Sequence, residues 1–200
     1  METIFVFKVS ILYLHQNLIL KYLMTATAWT INSNQSDVLI RAKYSIIAYL
    51  ASAINKFKGS IAVENDELED ASVEFLIDIH SKESKLEHFD SNLKLNDFLD
   101  TNQHPTISFK STSFQKVNSN INFLKGDLTI NNITKVVELD AILTDLETNN
   151  GVSKALFEIV GKINRKDFEL STIAFNENNG IAVGQEINLI ANLEFSTYIN

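Results

Sequence analysis

The sequence predicts an all-β protein, an antiparallel eight-stranded barrel with one short helix inserted between two strands. Three observations carry this prediction. From residue 29 onward, apolar residues alternate with polar ones at period two, the pattern of strands with one face in a core and one in water. Asparagine-rich turns separate the alternating runs at hairpin spacing. A single stretch near residue 86 switches to helical spacing.

Taken in order, the runs share one implied interior. Val73, Phe75, Ile77 and Ile79 alternate with Glu74, Leu76, Asp78 and His80. Leu86, Phe89 and Leu93 are then spaced by three and four, and Ser84 with Glu87 forms the Ser-x-x-Glu capping box that opens a helix. Pro105 returns the chain to an extended course, since the residue before a proline is steered away from helical angles. Ile107 and Phe109 alternate with Ser108 and Lys110, Ile121 and Phe123 with Asn122, and Leu128 and Ile130 with Asp127 and Thr129, the first-named pair facing inward in each. Asn131-Asn132 supplies a type I′ hairpin turn, because asparagine tolerates positive φ. Val137, Leu139, Ala141 and Leu143 continue the inward set, then Phe157, Ile159, Gly161 and Ile163, and finally Ile187, Leu189, Ala191, Leu193 and Phe195. A meander of eight or nine strands follows.

Composition bounds what such a protein does. At 200 residues and 45% apolar, the chain suffices for one well-filled domain, and one proline and six glycines leave no linker-like stretch. We read 24–200 as that single domain. The net charge of −8 disfavours a nucleic-acid partner, whose affinity comes from Lys and Arg releasing counterions. The absence of cysteine removes disulfides, thiolate catalysis and sulfur-ligated metals. The apolar runs of residues 1–23 are broken by Lys8, His15-Gln16-Asn17 and Lys21, and none reaches the ~20 residues of a spanning helix, so no transmembrane segment is expected. We expect Met24 to be the true start, with residues 1–23 a leader outside the fold and the protein cytoplasmic. The alternative is an atypical signal peptide, with Ala26-Thr27-Ala28 imitating its cleavage site, and a periplasmic protein.

Chemistry-bearing constellations are sparse. His15, His80, His88 and His104 lack zinc-ligand spacing and are read as solvated. The acidic run Glu64, Asp66, Glu67, Glu69, Asp70 lacks the glycine a calcium loop needs for its sharp turn. No nucleophile elbow, phosphate-cradling loop or Ser/His/Asp set occurs, so no catalytic residue, metal or cofactor is assigned. The inward residues matter more. An eight-stranded barrel is just wide enough to be filled by side chains or to hold one small ligand, and ten residues of tilted strand give ~25 Å of depth. By phase, Phe75, Ile77, Phe109, Leu128, Leu139, Phe157, Ile159, Leu189 and Leu193 are the candidates to line it. Arg165 inherits the same inward phase if its strand continues, and a charge there needs a partner, for which Asp167 is the nearest candidate. Trp29 is read as a plug at the closed end.

Several words of this sequence, in this order, resemble the YceI-like family. They are Trp29-Thr-Ile31, Phe57-Lys-Gly59-Ser-Ile61, Ser81 and Ser84, Asn92-Leu93-Lys94 with Asp97-Phe98-Leu99, and Pro105 with Phe109-Lys-Ser111. They continue with Gly126-Asp127-Leu128-Thr129, Gly161-Lys-Ile163-Asn-Arg165-Lys-Asp167-Phe168 and Val183-Gly184-Gln-Glu-Ile187. The resemblance spans residues 28–195 and implies a bacterial, lipocalin-like barrel without enzymatic activity. It implies a long-chain amphiphilic lipid as partner, polyisoprenoid, quinone-like or fatty-acid-like, held in an elongated tunnel with the helix near its entrance. Lys94 and Arg165 would meet the headgroup. A homodimer is compatible with it, and the competing reading is a ligand-free barrel acting through its surface in protein interaction or stress response. Tyr44, Asn92, Lys94 and Ser52 depart from the residues common in the family, and the His and Arg losses among them bear on headgroup contact more than on the fold.

Overall fold

The computed structural model describes residues 27–42, 45–51, 56–63, 71–79, 99, 102–170 and 185–197. Within them the chain forms β1 (Thr27–Ile31), β2 (Asp37–Ala42), β3 (Ser45–Ala51), β4 (Lys56–Val63), β5 (Ser72–Asp78), β6 (Thr106–Lys116), β7 (Ile121–Ile130), β8 (Ile133–Asn149), β9 (Val152–Asn164) and β10 (Glu186–Thr197). Short 3-10 turns occupy Ser33–Gln35 and Arg165–Phe168. The predicted helix between Ser84 and Leu99 lies outside the described residues, except for Leu99, which is fully buried. Among the described residues no helix is long and apolar enough to cross a membrane.

These ten segments make eight barrel strands. β10 pairs with β1 through Phe195–Thr197 and with β2 through Asn188–Asn192, so β1 and β2 are two halves of one strand interrupted by the first 3-10 turn. β3 pairs with β2 and β4 with β1, which makes β3 and β4 the halves of the next strand. All neighbours are antiparallel, and the β1–β10 pairing closes the ring. The interruption of the first strand is bridged by side chains. The Asn32 amide donates to the Glu194 carbonyl at 2.7 Å and Asn32 Nδ2 to Glu194 Oε1 at 2.6 Å. Ser36 Oγ donates to the Asn32 carbonyl at 2.9 Å and accepts from the Glu194 amide at 3.1 Å. Closing the ring of β1 and β4–β10 removes the edges of those strands, which would otherwise present unpaired backbone groups, while β3 is paired among the described residues with β2.

A two-residue hairpin forms at Asn131-Asn132, where asparagine was expected to allow it, and a second forms at Asn150-Gly151. Asn131 and Asn132 have φ of 50° and 61°, and Asn150 and Gly151 have 50° and 81°. Inward phase follows the alternation on β5, β8, β9 and β10, with bulges near Thr112 on β6 and Thr144 on β8 resetting it. β7 corrects the sequence reading. Asn122, Leu124, Gly126, Leu128 and Ile130 are buried, while Ile121 and Phe123 are only partly buried on the opposite face. The continuous ladder to β8 permits one phase for the whole strand, and Leu124 to Ile130 determine it. Asn122 is tolerated inside because its Nδ2 donates to the Ala141 carbonyl at 3.4 Å.

The long connections 79–105 and 165–185 leave from the end of the barrel that also carries the Asn131–Asn132 turn. There β9 stops at Asn164, whose side chain accepts from the Lys166 amide and starts the second 3-10 turn. Arg165 therefore does not continue the strand.

Candidate ligand-binding lumen

The inward faces of β2 and β4–β10 enclose a cavity of about 100 Å³ whose twenty lining residues are all apolar. Phe75 and Ile77 enter from β5, Phe109 from β6, Leu128 from β7, Leu139 from β8, Phe157 and Ile159 from β9, and Leu189 and Leu193 from β10. The nine apolar positions singled out from sequence phase thus stand on one wall. Phase reasoning also missed lining residues. Val38 and Ile40 sit on an interrupted strand too short to show a period, and Phe114 and Leu124 were hidden by the β6 bulge and the misread β7 phase.

Two aromatic pairs brace the wall. Phe157, 3% exposed, meets Phe195 edge to face at 6.3 Å between ring centroids, and Phe57 backs Phe75 at 5.7 Å. Such aromatic pairs fix ring orientation beyond what burial alone supplies. A purely apolar space of this size stays dry and accepts apolar guests, because no lining group offers a water its hydrogen bonds. At about 100 Å³ the space as it stands takes only a few carbons of a hydrocarbon, so a longer tail requires the lining side chains to move apart, and any polar portion of the guest must remain at a rim. Toward the Asn131–Asn132 end, Val137, Ile163, Ile187, Phe168 and Leu170 are buried without lining the cavity, whereas Ile130, next to that turn, lines it.

The charged candidates stand elsewhere. Lys94 lies outside the described residues. Arg165, 7% exposed, is not on the cavity wall; its Nη1 donates to the Leu170 carbonyl at 3.4 Å, while its own backbone carbonyl accepts from the Leu170 amide at 2.9 Å. Asp167 is exposed on the same turn. The turn is tied down by Asn131 Nδ2, which donates to the Phe168 carbonyl at 3.3 Å. Arg165 thus buttresses the turn that carries Phe168 and Leu170. Trp29 is half-buried against the core at the opposite end, and His104 is half-buried ahead of β6; the remaining histidines and the acidic run 64–70 lie outside the described residues. Outside the barrel, Glu74 bonds Lys110 at 2.8 Å and raises its pKa, an exposed surface pair. Among the described residues no group of three or more His, Asp or Glu is placed to hold a metal.

A closed eight-stranded antiparallel barrel around an apolar lumen defines a lipocalin-like architecture. A model of the YceI-like domain matches residues 29–195, and the chain belongs to that family. Protein YceI of Shigella flexneri is 31% identical over 158 residues, covering 78% of this chain and 79% of that protein. Among solved structures, BcnA of Burkholderia cenocepacia is similar with a TM-score of 0.59 at 18% identity, covering 82% of this chain and 98% of its own. The polyisoprenoid binding domain of Saccharophagus degradans aligns with a TM-score of 0.53 at 10% identity, covering 86% and 99%. At these identities the two structures speak to fold.

Proposed function

We propose that this protein binds and sequesters or carries a long-chain amphiphilic lipid, polyisoprenoid or quinone-like, with its tail in the lumen and its headgroup at a rim. The observation that carries the reading is the wholly apolar cavity running between the strand faces. A buried polar group would be needed to orient a small polar substrate; this wall has none. Affinity would come from burying tail surface at about 25 cal/mol per Å², less the cost of ordering a flexible chain. A lipid-binding role is supported by membership of the YceI-like family and by the polyisoprenoid-binding neighbour of like fold. The barrel is a binding protein on this reading, with no catalytic step.

The test is native mass spectrometry of the purified protein followed by organic extraction. A stoichiometric long-chain amphiphile in the extract is the expected result. A clean unliganded mass, unchanged after incubation with isoprenoid alcohols and fatty acids, would overturn the reading and leave a barrel that works through its outer surface.

A further inference from the structure

Glycine weakens a strand interior, and its presence there marks a place where another group comes close. Gly161 sits in β9 in the inward phase, between Ile159 and Ile163, and its φ lies outside the left-handed region. The backbone therefore does not require a glycine at this position. The space does. Gly161 pairs with Leu139 of β8 on one side and with Leu189 of β10 on the other, and both leucines line the lumen. A Cβ at Gly161 would overlap Leu139 Cδ2 outright and stand 3.4 Å from Leu139 Cγ. Leu139 thus occupies the space that a side chain at 161 would take, while also lining the lumen.

We propose that Gly161 is a specificity-determining residue that sets the bore of the lumen, admitting methyl-branched isoprenoid tails along with straight ones; this rests on the lumen being a lipid site. The atom in the way is the far end of a flexible side chain, so alanine at 161 displaces Leu139 and leaves the strands in place. The free volume beside Leu139 is the lumen. A straight polymethylene chain passes such a constriction more readily than a chain bearing a methyl branch on every fourth carbon. Gly126 is a different case, because a Cβ there would also overlap the Lys110 backbone carbonyl, and substitution strains the sheet itself.

The experiment compares geranylgeraniol with cetyl alcohol, which share a hydroxyl headgroup and main-chain length and differ in branching and unsaturation. Both are delivered from cyclodextrin in competition, and the bound alcohols are extracted and quantified. Wild type is expected to take up both. Gly161→Ala is expected to keep cetyl alcohol and lose geranylgeraniol by about tenfold, the scale of one methylene's worth of room in an apolar pocket. Adding Leu139→Ala to that variant should restore the branched alcohol, a coupling expected only of residues in contact. Should Gly161→Ala fail to fold, Leu139→Ala alone decides, since it widens the bore and must raise the ratio of branched to straight. An unchanged ratio in the folded variants, or equal loss of both alcohols without rescue, overturns the inference. Uptake of neither alcohol by wild type instead overturns the lipid reading.

Discussion

Leu189 is where ligand retention and folding come apart. It is half-buried, reaches the lumen from β10 and stands beside Gly161. Leu189→Glu places a carboxylate in an apolar cavity, where an unpaired charge is strongly disfavoured next to a hydrocarbon guest. Bound alcohol is expected to fall below detection on extraction while the far-ultraviolet circular dichroism of the sheet persists. Loss of the sheet signal together with retention would show that the wall is a dry core. At the Asn131–Asn132 turn the effect is conformational instead. Asn132 has φ of 61°, where a residue with a Cβ and no local hydrogen-bonding side chain costs about 1–2 kcal/mol. Asn132→Ala is expected to lose about 1 kcal/mol in urea unfolding and Asn132→Gly almost nothing; equal losses would point to a side-chain role for this asparagine.

The first strand depends on its interruption being bridged. Ser36 is 5% exposed, and its hydroxyl links the Asn32 carbonyl to the Glu194 amide across the gap between β1 and β2. Ser36→Ala removes both bonds and leaves the Glu194 amide without its partner, while the Asn32 carbonyl keeps the Gln35 amide at 3.1 Å; the loss costs about 1–3 kcal/mol. Faster hydrogen exchange should appear at the Glu194 amide before it appears in β7 or β8, because local opening begins at the weakest seam. Exchange rising uniformly over the whole sheet would contradict this. At this scale the limits of the sequence are physical. Long strands such as β8 and β10 announced their inward residues, since a period repeated four times admits one phase. β7 misled because Ile121 and Phe123 look more apolar than Asn122, and only the ladder to β8 shows which set faces inward. The Arg165 placement was illegible for another reason: β9 gives way after Asn164 to a 3-10 turn whose cap, the Asn164 side chain on the Lys166 amide, leaves no mark on the apolar period. The split of one strand into β1 and β2 leaves pieces too short for any period to register.

At the scale of the whole molecule, closure couples the lumen to stability. Every wall residue belongs to a strand paired on both sides, and the ring is completed by three residue pairs between β1 and β10. A guest in the lumen touches many strands at once, and unfolding any part of the ring releases it. Binding to the native state alone therefore stabilises the entire barrel by RT ln(1 + [L]/Kd), about 2.7 kcal/mol at a hundredfold excess over Kd. For a domain of this size that corresponds to a rise of roughly 5–10 °C in the thermal midpoint. The midpoint of delipidated protein is expected to climb linearly with the logarithm of free geranylgeraniol above Kd, and Leu189→Glu should abolish the slope while keeping a single cooperative transition. A midpoint indifferent to the alcohol in both proteins would mean that the native barrel has no preferential site for it. A slope that survives Leu189→Glu would place the bound alcohol on the outer wall, where that substitution has no reach.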